Sequence, residues 1–121
     1  MKEVQVDALQ TRIIERIDRE AGALVELSKF IHTHPEIAME EVQCSAACAK
    51  FVEDRGFKVT RGIADLPTAF AATAGDGASG HVGYLSEYDA LPGLGHGCGH
   101  NLIAIAGIGA AIGLSEVAAE V

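Results

Sequence analysis

Residues 87–101 have the sequence Glu-Tyr-Asp-Ala-Leu-Pro-Gly-Leu-Gly-His-Gly-Cys-Gly-His-Asn, and this stretch decides how the chain is interpreted. Four of the 14 glycines lie in it, and they alternate with His96, Cys98 and His100. Glycine lets the backbone come close to whatever these side chains hold. Imidazole nitrogen and thiolate sulfur are preferred ligands of zinc and its neighbours in the transition series. The stretch therefore predicts a metal-binding loop with Cys98 and His100 as ligands.

Other residues of the stretch have competing interpretations. Asp89 precedes a Pro-Gly turn, where its carboxylate could bind metal, orient a ligating histidine or cap the turn. We interpret His96 as a hydrogen-bonded loop residue rather than a ligand. Asn101 is a candidate N-cap for a following helix. A further alternative makes Cys98 a nucleophile with His100 or His96 as its base, although side chains two apart on one strand seldom meet in attacking geometry.

Two helices are predicted ahead of this stretch. Apolar residues at helical spacing predict a first helix over about 6–32, and Pro35 ends it. A second helix follows and ends near Gly56, a residue type suited to the left-handed C-terminal position. Cys44 and Cys48 lie four apart in this helix and are expected to pack as small apolar groups. The other residues expected on its buried side are Ile37, Val42, Ala46, Ala49 and Phe51.

Alternating and small-residue segments predict strands over 57–60, 68–74 and 81–86. The glycine-rich turn at 75–80 predicts that the last two strands form an antiparallel hairpin. Residues 102–119 are apolar nearly all round, so they could span a membrane or form a helix buried in an α/β domain. The glycines, Glu116 and the lack of basic flanks favour the buried helix.

Length and charge set limits on the class of protein. The chain has 121 residues, which allows one domain over 1–121. Its 9 basic and 17 acidic side chains give a net charge of −8, which argues against nucleic acid as a partner, and no basic face for a membrane is visible. Three cysteines and a polar start predict reduced thiols in the cytoplasm.

Several motifs together resemble a known family. These are D-A-L-P-G at 89–93, G-H-G-C-G-H-N at 95–101, H-P-E at 34–36 and G-F-K-V at 56–59. The chain resembles the amidohydrolase branch of the aminoacylase/carboxypeptidase family of di-metal peptidases, with the closest likeness to aminobenzoyl-glutamate hydrolases and dipeptidase-like proteins. The resemblance covers about 24–115. It implies a layered α/β/α domain with a mixed sheet, of which this chain would be the incomplete N-terminal portion.

The resemblance also implies a function. Cys98 and His100 would ligate a centre of two divalent ions, zinc or manganese, and Asp89 would be the catalytic-site carboxylate that holds it. Glu87 stands where the wider family carries a metal-binding histidine and stays a candidate only. The substrates would be small N-acyl-amino acids or dipeptides, and the assembly a homo-oligomer.

In the family, the glutamate general base and further ligands lie later in the sequence than this chain extends, since Val121 is 21 residues after His100. We therefore expect at most a partial metal site here and no activity from the chain alone. The alternative is a truncated, non-catalytic domain that binds metal or associates with itself.

Overall fold

The computed structural model describes residues 3–78 and 80–121. In this part of the chain, helices and a small sheet follow one another in an order close to the predicted one. The elements are helix α1 (Glu3–Thr33), helix α2 (Val42–Glu53), strand β1 (Lys58–Arg61), a short 3-10 turn (Ile63–Asp65), strand β2 (Phe70–Thr73) and helix α3 (His100–Ser115). The coarse prediction of an α/β fold agrees with this content.

Helices α1 and α3 pack closely because α3 presents glycines to α1. A Cβ atom on Gly113 would lie 2.9 Å from Ile17 Cδ1, and one on Gly109 would lie 3.2 Å from Leu24 Cδ1. The spacing of small residues thus serves helix packing within the chain. None of the helices in the described residues is both long enough and apolar enough to cross a membrane. The core that the three helices share consists of Leu24, Leu27, Ile31, Cys44, Cys48, Val52, Phe57, Ala104, Ile108 and Ile112.

Glu36 fixes the start of α2 after the break at Pro35. Its carboxylate accepts hydrogen bonds from the backbone N–H of Gln43 at 3.0 Å and of Cys44 at 2.8 Å. Free N–H groups at a helix start favour such an anionic acceptor. Burial alone would raise the pKa of Glu36, but the hydrogen bonds outweigh burial and leave the pKa below its usual value.

The two cysteines of α2 lie in the core, as predicted. Neither Cys44 nor Cys48 is exposed to solvent. Burial raises the pKa of each thiol to about 12, so both stay protonated near neutral pH.

The predicted buried face of α2 is wrong at three positions. Val42 is 66% exposed, Ala46 is also exposed, and Ile37 lies before the helix and is exposed. The capping by Glu36 starts the helix at Val42, and this register turns Cys44, Cys48 and Val52 toward the core.

The predicted hairpin between 68–74 and 81–86 is also wrong. Strand β2 pairs instead with β1, in an antiparallel register that sets Lys58 opposite Thr73 and Arg61 opposite Phe70. Residues 62–69 form the connection, and the N–H of Gly62 donates to the carbonyl of Ala69 at 2.8 Å. Residues 81–86 belong to no strand, helix or turn, because no described segment lies beside them to pair with.

Candidate metal centre

The loop between residues 89 and 99 is attached to the segment that follows α1. The N–H of Ala90 donates to the carbonyl of Glu36 at 2.7 Å, and Ile37 forms a parallel bridge with Ala90. A second bridge joins Leu91 and Gly95 across a tight turn. The turn needs glycine, because Gly95 has a φ of 68°, which other residues rarely adopt. The H-P-E and D-A-L-P-G motifs are therefore in direct contact.

His100 is the first residue of α3, and two carboxylates flank its ring. Its Nδ1 lies 2.8 Å from Asp89 Oδ1 and 3.0 Å from the Asp89 carbonyl oxygen. Both oxygens can only accept, so Nδ1 carries the proton and donates it. Asp89 thereby holds the ring in one orientation, and the ligation of a metal by His100 stays a prediction.

The opposite nitrogen of the same ring faces Glu87. His100 Nε2 lies 3.1 Å from Glu87 Oε2. An imidazole nitrogen and a carboxylate oxygen at this separation are both groups that can bind a divalent cation. In the sequence Glu87 is only a weak candidate, because by the resemblance it stands where the wider family carries a metal-binding histidine.

Cys98 is exposed in the glycine loop, two residues before His100. The described residues contain no group of three or more histidine, cysteine and carboxylate side chains that could hold a metal ion. The structure thus brings Asp89, Glu87 and His100 together and does not bring Cys98 to them. Ligation by Cys98 stays a prediction.

Asn101 does not cap α3, contrary to the prediction. The cap is Gly99, whose φ of 82° is left-handed and suits glycine, and Asn101 lies inside the first turn. There its side-chain N–H donates to Ser28 Oγ at 3.0 Å, in a buried contact with α1. This bond fixes the start of α3, and with it His100, relative to α1. The sequence offers no signal for the pair, because the two residues are 73 positions apart.

The interpretation of His96 as a hydrogen-bonded residue is wrong for the described structure. Its side chain is 8% exposed, and neither ring nitrogen has a hydrogen-bond partner among the described residues. Burial lowers the pKa of His96, and the neighbouring His32 lowers it further. The ring packs beside His32, with 6.2 Å between the ring centres. Its place in the loop is set by packing rather than by polar contacts.

The donor set fits a divalent cation in part. Histidine nitrogen and carboxylate oxygen are ligands of zinc and manganese, and a histidine held through Nδ1 by a carboxylate is a common arrangement around bound metals. His100 and Glu87 are the side chains placed to hold such an ion, and Asp89 is placed to orient His100. The described residues do not bring together the further ligands that a complete metal site needs.

Comparison with known proteins finds relatives of this chain that are hydrolases. No family model matches the chain. The chain is 41% identical over 119 residues to the Xaa-Arg dipeptidase of Mus musculus, a match that covers 91% of this chain and 28% of the dipeptidase. It is 34% identical to one of the subunits of the p-aminobenzoyl-glutamate hydrolase of Escherichia coli, covering 86% of this chain and 25% of that protein.

A less similar relative is named for a related activity. The N-acetyl-L-cysteine deacetylase of Bacillus subtilis is 28% identical over 107 residues, covering 77% of this chain and 26% of the deacetylase. The chain therefore spans about a quarter of the length of the curated relatives it matches. The resemblance predicted from the motifs is confirmed: the chain is a relative of the amidohydrolase branch of the aminoacylase/carboxypeptidase family and corresponds to one part of such a hydrolase.

Proposed function

We propose that this chain supplies part of the metal centre of an amidohydrolase that cleaves N-acyl-amino acids or dipeptides. The observation that carries the proposal is the ring of His100 between Asp89 and Glu87, at 2.8 and 3.1 Å. The names of the relatives support the substrate class, since they specify a dipeptidase, part of an aminobenzoyl-glutamate hydrolase and an N-acetyl-cysteine deacetylase.

Each residue of the loop has a proposed role. His100 would hold a divalent ion through Nε2, and Cys98 would be a second ligand of the two-ion centre. Asp89 keeps the Nδ1 proton of His100 in place and thereby leaves Nε2 available as a ligand. Bound zinc or manganese would polarise the amide carbonyl and lower the pKa of a water molecule.

The general base and the remaining ligands would come from polypeptide other than the described residues. Glu116 cannot supply the base, because its carboxylate is paired with Arg16 at 3.3 Å at the far end of α3. In this proposal the chain is the N-terminal portion of one layered α/β/α catalytic domain with a mixed sheet, and it is inactive by itself.

The ligand assignment is tested with cobalt(II) alone as the probe. Cobalt bound by a thiolate gives a ligand-to-metal charge-transfer absorption. We expect that band in the native chain and in Cys48→Ala, a control because Cys48 is completely buried. Cys98→Ser should lose the band. If the band persists in Cys98→Ser, Cys98 is not a ligand.

The role of Asp89 is tested separately by metal affinity. Asp89→Asn keeps the size of the side chain but weakens its hold on the Nδ1 proton, so we expect cobalt to bind about 10–100-fold less tightly. Titration calorimetry measures the change. Equal affinity in Asp89→Asn and the native chain would show that Asp89 does not position the ligand.

A non-catalytic role is the second candidate, and exposed apolar side chains favour it. Val82 is 69% exposed and Leu85 is 91% exposed, a pattern typical of surfaces that associate. Sedimentation of the chain over a range of concentrations tests self-association. A monomer at all concentrations would exclude the self-associating form of this candidate.

A further inference from the structure

Tyr88 lies between Glu87 and Asp89 in the sequence, yet its side chain points the other way. The carboxylates of Glu87 and Asp89 both contact the ring of His100, at 3.1 and 2.8 Å. The ring of Tyr88 instead stacks on Phe70, the first residue of β2, with 6.3 Å between the ring centres and 8° between the ring planes. Consecutive side chains that point to opposite sides are typical of extended backbone. A displacement of Tyr88 would therefore move both carboxylates together.

Few backbone contacts hold this segment in place. Within the described part of the chain, no hydrogen bond between backbone groups involves residues 87–89. The neighbouring Ser86 bonds to α3, and Ala90 bonds to the segment after α1. Between these two points, the hydroxyl of Tyr88 donates a hydrogen bond to the carbonyl oxygen of Thr68, just before β2. This side-chain bond ties the middle of the segment to the rest of the fold.

The acceptor residue Thr68 is itself held in the core. Its hydroxyl donates to Oε2 of Glu41 at 2.7 Å, and both residues are buried. Glu41 immediately precedes α2, and its carbonyl oxygen accepts from the N–H of Ser45 in the first turn at 2.9 Å. A buried carboxylate is costly without a donor, so the Thr68 hydroxyl is well placed to stay where it is. A chain of hydrogen bonds therefore connects the start of α2 to Tyr88.

We propose that Tyr88 is a positioning residue of the candidate metal centre. Its hydroxyl, anchored on Thr68, would fix where Glu87 and Asp89 stand around the ring of His100. Tyr88 would contact neither an ion nor a substrate and would act through the two carboxylates alone. Its importance for metal binding rests on the proposed function, but the geometry that it maintains exists without a metal.

The test variant is Tyr88→Phe, which removes the hydroxyl and keeps the ring that stacks on Phe70. Tyr84→Phe is the matched control, because Tyr84 is 44% exposed and its hydroxyl makes no hydrogen bond within the described residues. The measurement is the tautomer of His100 in its neutral form, read by NMR from the chemical shifts of its two ring nitrogens. Circular dichroism checks that each variant keeps the helical content of the native chain.

In the native chain we expect the proton of the His100 ring on Nδ1, where Asp89 accepts it. In Tyr88→Phe the ratio of the Nδ1–H form to the Nε2–H form should fall about fivefold, which corresponds to the loss of one net hydrogen bond. Tyr84→Phe should keep the native ratio. A tyrosine that contributed only to stability would leave this ratio unchanged in the folded chain.

A second pair of variants applies if Tyr88→Phe does not fold. Thr68→Val removes the hydroxyl that bonds to Glu41, and Thr68→Ser retains a hydroxyl. Thr68→Val should lower the Nδ1–H share of His100, and Thr68→Ser should restore it. The native chain provides a measurement without any variant: the hydroxyl proton of Tyr88 should exchange with water at least about tenfold more slowly than that of Tyr84.

Cobalt alone as a probe separates this inference from the proposed function. Tyr88→Phe should bind cobalt about fivefold less tightly than the native chain, and Tyr84→Phe should bind it equally well. A native chain that binds no cobalt would contradict the proposed function, and the tautomer ratio would still decide the role of Tyr88. Three results would overturn that role: a native ratio in Tyr88→Phe, an equal change in Tyr84→Phe, or hydroxyl protons that exchange equally fast at both tyrosines.

Discussion

The three helices and the segment 80–99 differ in the interactions that hold them in place. Helices α1, α2 and α3 share a core of buried apolar side chains, among them Ile31 and Ile112, which are completely buried. The segment 80–99 is held mainly by individual hydrogen bonds, such as that from Ala90 to Glu36, and by its contact with α3. Several of its apolar side chains, such as Leu85, are exposed.

This difference shows how stability and chemistry are divided in the molecule. Apolar burial contributes about 25 cal/mol for each Å² removed from water, so the helices hold the fold. The loop that carries Asp89 and Cys98 contributes less, and its geometry depends on the helices beside it. Three pairs of substitutions test this division.

The largest effect is expected in the helical core. Ile31→Ala removes a completely buried side chain and should lower the free energy of unfolding by about 2–5 kcal/mol. Leu94→Ala, in the exposed part of the loop, should change it by less than about 0.5 kcal/mol. Urea denaturation followed by circular dichroism measures both. Equal losses would mean that the loop is as much a part of the core as α1.

A smaller effect is expected where α3 meets α1. Gly113→Ala would place a Cβ 2.9 Å from Ile17, and we expect it to destabilise the chain by about 1–3 kcal/mol. Gly22→Ala is the matched control, because nothing lies within 4 Å of its Cβ position, and it should stabilise α1 by about 0.5–1 kcal/mol. Thermal unfolding midpoints should therefore move in opposite directions. A higher midpoint for Gly113→Ala would show that the two helices are not in close contact there.

The smallest effect concerns the link between the two regions. Glu36→Gln keeps the shape of the side chain that caps α2 but removes its charge. We therefore expect the free energy of unfolding to fall by about 1 kcal/mol at pH 7. Because the pKa of Glu36 is lowered on folding, its contribution is complete above the ordinary value of 4.5 and disappears as the pH falls through the lowered pKa.

Denaturation of the native chain and of Glu36→Gln between pH 3 and 7 should therefore converge at the acid end. Glu40→Gln serves as the control, because its carboxylate makes no hydrogen bond or ion pair within the described residues. A difference between the native chain and Glu36→Gln that stays constant with pH would contradict the capping role.

The helices could be predicted from the sequence because their signal is local. Apolar periodicity located α1, a continuous apolar segment located α3, and the four-residue spacing of Cys44 and Cys48 identified a buried face. The pairing of β2 could not be predicted from the sequence. A glycine-rich turn after residue 74 predicts a hairpin whether or not the segment that follows the turn pairs with the strand before it. Pairing depends on which segment lies beside a strand in the fold, and residues 81–86 have no partner strand among the described residues.

The site was predictable at the level of residue types. His100 and Asp89 were candidates from their sequence context, and the structure joins them at 2.8 Å. The contact between Asn101 and Ser28 could not be predicted, because it depends on how α3 meets a helix 73 positions earlier. The lack of hydrogen-bond partners for the His96 ring among the described residues could not be predicted either, because tertiary packing determines what surrounds this ring.

The packing of α1 against α3 has a consequence for how the protein is made. Helix α3 begins 67 residues after α1 ends, and polypeptides leave the ribosome N-terminus first. Until α3 emerges, the apolar stripe of α1 therefore has only α2 to cover it. A chain that stalls before α3 would leave apolar side chains such as Leu24 partly uncovered, and exposed apolar surface of this kind is what chaperones bind.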